Sequence, residues 1–193
     1  PDIKLKIDVD IQAPDYNITY ADFSAFNIDV AFSFVKIESE QVEQIKLFED
    51  AIYPVCSPDL LISETLSSPA QFGNIPLLHD SQPELVYSYS WNDWLEHCDY
   101  PRIDTSEGHS FNRFDLIIQA AISGQGIALA RHSLVYDDIA AGRLVRLFDR
   151  QIDCVWWLLY QISAAENPLV IKFKEWAQKQ AVLYQSPSVT GNL

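Results

Sequence analysis

From Phe111 onward the chain carries its clearest periodicity. Phe114, Ile117, Ile118, Ala121 and Ile122 recur at i, i+3, i+4, i+7 and i+8, which is one apolar face of a helix. Ser110 is the candidate N-cap, and Gly124, a residue that tolerates the left-handed conformation, is the expected stop. A short apolar run at residues 127–130 then reads as a strand, residues 134–141 as a second helix closed by Gly142, and residues 144–148 as another strand. A strand held between two helices points to a layered α/β architecture, because each helix must bury its apolar stripe against a sheet.

The flanking segments extend that reading. Residues 3–11 alternate apolar and charged side chains, the period of a half-buried strand. Residues 28–34 (IDVAFSF) are dense enough in apolar groups for a strand covered on both faces, and residues 45–56 form a third extended stretch. Ser57 before Pro58 predicts a short helix, and residues 75–79 a strand. Trp91, Trp94, Leu95 and Cys98 share one helix face, with Ser90 as cap. Residues 154–160 read as a strand, Asn167 and Pro168 open an amphipathic helix through Phe173, Trp176, Ala177 and Ala181, and residues 186–193 read as a disordered tail. Strands alternating with helices predict largely parallel sheets. All lysines fall in residues 1–52 and 161–193, whereas residues 53–160 carry only arginines. Such a split suits a chain that leaves one lobe, builds another and returns, with a first lobe at 1–52, a second at 53–156 and the return and tail at 157–193.

Composition narrows the function. With 193 residues, 48% of them hydrophobic, the chain can bury a core without staples. Its 13 Lys+Arg against 27 Asp+Glu leave a formal charge of -14, which repels nucleic-acid phosphates and anionic membranes alike. No apolar run approaches the roughly 20 residues that span a bilayer, and no basic and apolar leader opens the chain, so a cytoplasmic protein without membrane contact is expected. Cys56, Cys98 and Cys154 are odd in number and form no C-x-x-C pair, which predicts buried, reduced thiols. The abrupt start on a strand reads as a fragment of something longer.

No catalytic signature emerges. The acidic residues show no acid and base spacing, and His79, His97, His109 and His132 show no metal-ligand spacing. There is no G-x-S-x-G, and Gly124-x-Gly126 lacks the third glycine of a dinucleotide loop, Leu129 standing in its place. Neither a metal nor a cofactor is expected. A binding site remains, and in α/β folds ligands settle beyond the carboxyl ends of strands. Three clusters qualify: residues 107–112 (EGHSFN) with Ser110, Phe111 and Asn112; His79 with Asp80 and Ser81; and Ser33 with Phe34. Capping by Ser110, packing by Phe111 and Phe34, and turn chemistry at residues 79–81 account for the same residues equally simply.

The stretch from Ser110 to Phe148, SFNRFDLIIQAAISGQGIALARHSLVYDDIAAGRLVRLF, resembles the second lobe of the effector-binding domain of LysR-type transcriptional regulators, nearest their glycine-cleavage and β-lactamase-gene activator branch. Pro1 to Leu5, Asp29-Val30-Ala31, Tyr53 to Pro58, Trp91 with Trp94 and Leu95, and the helix holding Phe173 and Trp176 are similar to family segments in the family's order. The resemblance implies a fold like that of type 2 periplasmic binding proteins, with two α/β lobes and two crossover strands. It further implies a small effector in the cleft between the lobes, assembly as a homodimer or higher homo-oligomer, and DNA binding only through a winged helix-turn-helix ahead of Pro1; a first strand and helix of the effector domain, whose junction supplies part of the pocket, are likewise expected ahead of Pro1. Ser33-Phe34-Val35 stands where this branch often has Arg, an aromatic and Gly, so a carboxylate-binding role does not carry over. The expected effector contacts are Ser33, Phe34, His79, Ser110, Phe111 and Asn112, with the N-terminal end of the Phe111 helix holding the ligand's polar end. A solute-binding protein serving a transporter shares this scaffold, as does an enzyme such as a dehydratase, for which His79 and His109 are the only imidazoles to consider.

Overall fold

The computed structural model describes residues 23, 25, 28–34, 36–61, 66–73, 75–81 and 89–184. The strand read at residues 3–11 and the tail at 186–193 lie outside these. The chain separates into two compact units, residues 1–49 with 155–193, and residues 50–154. Two long strands carry the chain between them, β2 (Val42–Cys56) outward and β7 (Ile152–Gln161) on the return.

In the first unit β1 (Val30–Ser33) pairs antiparallel with β7, Val30 opposite Tyr160 and Ser33 opposite Trp157. Phe23, Ile37, Val42 and Leu159 form its buried cluster, with Ile28, Ala31 and Trp157 packed around them. The strand is shorter than IDVAFSF suggests, and it is not covered on both faces among the described residues: Phe32 keeps 47% of its surface exposed. The final helix, Pro168–Leu183, starts as its residues predict. The Asn167 side-chain oxygen accepts the Leu169 N–H at 3.0 Å, and Pro168 takes a first-turn position where a missing N–H costs nothing.

The second unit is built on β2, β5 (Ile127–Arg131), β3 (Leu77–Asp80) and β4 (Gly108–Phe111) in that order, with β6 (Val145–Arg146) on β2. β3 runs parallel to both β4 and β5, whereas β5 and β6 run antiparallel to β2. The sheet is therefore mixed, not largely parallel, because the crossing strands run against their neighbours. Helices α1 (Trp91–His97), α2 (Phe114–Ile122) and α3 (His132–Ala140) complete the unit, which makes Pro168–Leu183 α4. Ser90 caps α1 reciprocally with Asp93: its hydroxyl accepts the Asp93 N–H at 3.2 Å, and the Asp93 carboxylate accepts the Ser90 N–H at 2.8 Å. The face so started buries Trp91, Trp94 and Leu95 among Phe72, Phe148 and Ile152, with the Trp94 and Phe148 rings stacked 5.9 Å apart.

Helix α2 begins at Phe114, three residues after the expected start, and Ser110 is not its cap. Residues 108–111 are extended alongside β3 instead, and the strand pairing claims the backbone that a helix would use. The N-cap position falls to Arg113, which makes no side-chain cap; its guanidinium is held bidentately by Asp115 at 2.9 and 2.7 Å. At the other end Gly124, with φ 71°, stops the helix as read. Helix α3 starts at His132, two residues ahead of the run beginning at Leu134, and its cap comes from far away in sequence. The Asp50 carboxylate, 4% exposed, accepts the Ser133 N–H at 3.0 Å, the Ser133 hydroxyl at 2.6 Å and the Ala51 N–H at 2.8 Å. The strand read at residues 144–148 contracts to the two residues of β6. Cys56 and Cys98 are buried, Cys154 is half-buried rather than buried, and all three are free thiols.

The approach of β4 to β3 depends on Gly108. Its φ is 145°, and a Cβ there would lie 1.9 Å from the Leu77 carbonyl oxygen. Gly108→Ala is expected to destabilise the protein by more than about 2 kcal/mol in urea unfolding, since both strain and backbone displacement follow. Burial pushes the thiols of Cys56 and Cys154 up to about 11. At pH 8 only about one thiol in a thousand is then ionised at each site, so a thiol-reactive dye is expected to label them at appreciable rate only after unfolding.

Candidate functional site

The second unit holds a recess of about 620 Å³ at the carboxyl ends of β3 and β4. β3 and the turn after it supply Leu78, His79, Asp80 and Ser81, and β4 supplies Ser110. Tyr89, Ser90 and the start of α1, Trp91 and Asn92, form a second side, and residues 103–106 a third. Phe114 and Ile117 of α2 and Leu129 of β5 close the lining with apolar surface.

The wall formed by the two parallel strands is set by register. His79 lies opposite Ser110 and Asp80 opposite Phe111, and the Ser81 N–H donates to the Phe111 carbonyl at 2.7 Å. The His79 ring approaches the Glu107 carbonyl at 3.3 Å through Nε2. Trp91 is anchored by its indole N–H on the Leu78 carbonyl at 3.2 Å, and the Thr105 hydroxyl donates to Asn92 Oδ1 at 3.2 Å, which ties the loop to α1. Asp104 accepts both the N–H and the hydroxyl of Ser106, at 2.9 and 2.6 Å, and these bonds hold its carboxyl below the usual carboxylate range.

Of the residues expected from sequence, the structure brings His79 and Ser110 together on one wall, with Asp80 and Ser81 beside them. Phe111 ends β4 and Asn112 follows it, and neither is among the lining residues. Ser33 and Phe34 belong to the first unit, where Ser33 is 1% exposed and Phe34 packs on Trp156. The expected anchor at the N-terminal end of a helix starting at Phe111 is replaced by a strand edge, for the pairing reason given above. Sequence reading passed over Tyr89, Asn92, Asp104, Thr105 and Ser106. The Asp104-x-Ser106 spacing is a local turn signal, but nothing local says that this turn faces His79.

The donors and acceptors of the recess suit a polar organic molecule. Among the described residues no group of three or more His, Cys, Asp or Glu is placed to hold a metal ion, and no helix is long and apolar enough to cross a membrane.

Several comparisons meet on one family. The glycine cleavage system transcriptional activator of Escherichia coli K12 is 31% identical over 182 residues, 93% of this chain and 57% of that protein. The HTH-type transcriptional regulator DsdC of the same organism is 30% identical over 158 residues, 79% of this chain and 50% of that one. The chain thus spans little more than half the length of these curated relatives. Among solved structures, the effector domain of the transcriptional regulator AmpR of Pseudomonas aeruginosa superposes with a TM-score of 0.67 at 23% identity, covering 84% of this chain and 76% of that one. CrgA, a LysR-type transcriptional regulator from Neisseria meningitidis, gives 0.69 at 18% identity, covering 84% of this chain and 55% of that one. These likenesses establish the periplasmic-binding-protein-like α/β fold of LysR effector domains. The sequence profile described as the LysR substrate binding domain matches residues 6–182, and the chain belongs to that family.

Proposed function

We propose that this chain is the effector-sensing part of a cytoplasmic DNA-binding transcriptional regulator, and that the recess beside His79 and Ser110 receives a small polar metabolite. The reading is carried by one coincidence: the residues picked from sequence at the carboxyl ends of two strands fall on the same wall of a recess, in a chain whose family is named for substrate binding. The units at residues 1–49 with 155–193 and at 50–154 are the lobes of the sensor, and the protein works as a homodimer or higher homo-oligomer. DNA contact belongs to the part of the relatives that this chain does not match, because a charge of -14 makes the chain itself a poor ligand for phosphates. A bound effector signals only through different affinities for two conformations of the protein. It is bound and not transformed.

A thermal-shift screen of small metabolites tests this. At a hundredfold excess over its Kd a true ligand stabilises the fold by about 2.7 kcal/mol, roughly 5–10 °C in a domain of this size. Ser110→Trp, which puts an indole on the polar wall of the recess, is expected to abolish the shift, and product analysis is expected to return the hit unchanged. Hits that survive Ser110→Trp and His79→Ala would place the effector elsewhere.

A further inference from the structure

The charge of the recess can be worked out arginine by arginine. The second unit contains no lysine, and between Lys46 and Arg102 the sequence has neither Lys nor Arg. Of its six arginines none lines the recess. Arg102 pairs loosely with Glu96, Arg113 with Asp115 and Arg143 with Asp138. Arg146 donates to the carbonyls of Phe148 and Asp149 and lies 4.3 Å over the Tyr53 ring. Arg150 donates to the Cys98 carbonyl and lies 4.8 Å over the Tyr100 ring. Arg131 is partly buried; burial weakens its hold on a proton, and Cys154, Asp50, Tyr89 and Asp80 act against that. The second unit's arginines are therefore engaged by carbonyls, rings and acids, and none of them lines the recess.

What faces the recess is of the opposite kind. Asp80 and Asp104 both contribute to its lining, and only Asp80 lies in the field of an arginine. Asp104 is exposed, is fixed by Ser106, and takes part in none of the ion pairs formed among the described residues. Ser81, Ser90, Thr105 and Ser110 share the lining with these acids, the Ser90 hydroxyl donating to Asp93 at 2.6 Å and the Thr105 hydroxyl to Asn92 at 3.2 Å, and Tyr89, 41% exposed, contributes a ring.

We propose that the recess selects a small organic cation bearing hydroxyl groups, of amino-alcohol or amino-sugar chemistry, with its ammonium at Asp104, and that it rejects anions of the same size. An anion would enter beside two carboxylates with no arginine or lysine in the lining and only the His79 imidazole, already turned to the Glu107 carbonyl, to set against them, whereas an ammonium gains a charge-assisted hydrogen bond at Asp104 and the negative face of the Tyr89 ring. The hydroxyl lining satisfies the ligand's own hydroxyls, which otherwise lose water without replacement. This inference rests on the recess being the effector site.

Calorimetric titration with glucosamine, glucose and glucuronate, three probes of one ring size that carry positive, zero and negative charge, separates the possibilities. Glucosamine is expected to bind about tenfold more tightly than glucuronate. Asp104→Asn, a substitution at an exposed position, is expected to weaken glucosamine about three- to fivefold and leave glucose unchanged. Glucuronate binding as tightly as glucosamine, or glucosamine binding indifferent to Asp104→Asn, overturns the ligand class. Silence from all three probes also overturns it, while the metabolite screen decides the effector reading independently. Glucosamine binding that persists in Ser110→Trp overturns both.

Discussion

The close passage of β4 along β3 is the contact on which the site depends. It exists because residue 108 has no side chain: the Leu77 carbonyl oxygen occupies the space a Cβ would need. From that contact follow the facing of His79 with Ser110, the hydrogen bond from Ser81 to Phe111, and the delayed start of α2 at Phe114. Were residues 108–111 helical, Ser110 would cap a helix and the recess would lose one of its polar walls. A backbone approach thus decides which side chains meet.

A second constraint ties the incoming strand to the unit it builds. Asp50 sits on β2 at the boundary between the two units, and its carboxylate serves the first turn of α3 through Ser133. A buried carboxylate is costly unless its lone pairs are filled, and here the Ala51 N–H, the Ser133 N–H and the Ser133 hydroxyl fill them. Next to it the Tyr53 hydroxyl and His132 Nδ1 lie 2.5 Å apart. The strand that brings the chain into the second unit is in this way fastened to a helix some 80 residues later. In the same unit none of the arginines lines the recess, and Asp104 enters none of the ion pairs formed among the described residues.

Features with a local cause were legible in the residues. Ser90 and Asn167 cap helices because a side-chain oxygen reaches an N–H two or three residues ahead whatever surrounds it, and Gly124 ends α2 for an equally local reason. Ser110 failed as a cap although its sequence context is just as good, because pairing with β3 offered its backbone a better set of partners. The parallel expectation failed for a similar reason: strand direction relative to a neighbour is a property of the pair, and β2 and β7 pair with strands that run against them. In the site, His79 and Ser110 could be found by the rule about strand ends, whereas Tyr89, Asn92 and residues 104–106 could not, since the loops and the start of α1 converge only once the sheet is assembled.

The amino-acid sequence alone determined the α/β class, most helices and strands to within a few residues, the negative charge and the family resemblance, because periodicity, capping and composition act over short range or sum over the chain. Only the tertiary structure decided that residues 108–111 are a strand, that Asp50 caps a distant helix, and that two carboxylates share a recess without an arginine. Those outcomes turn on which backbones can approach within hydrogen-bonding distance, and the packing of the whole unit sets that distance.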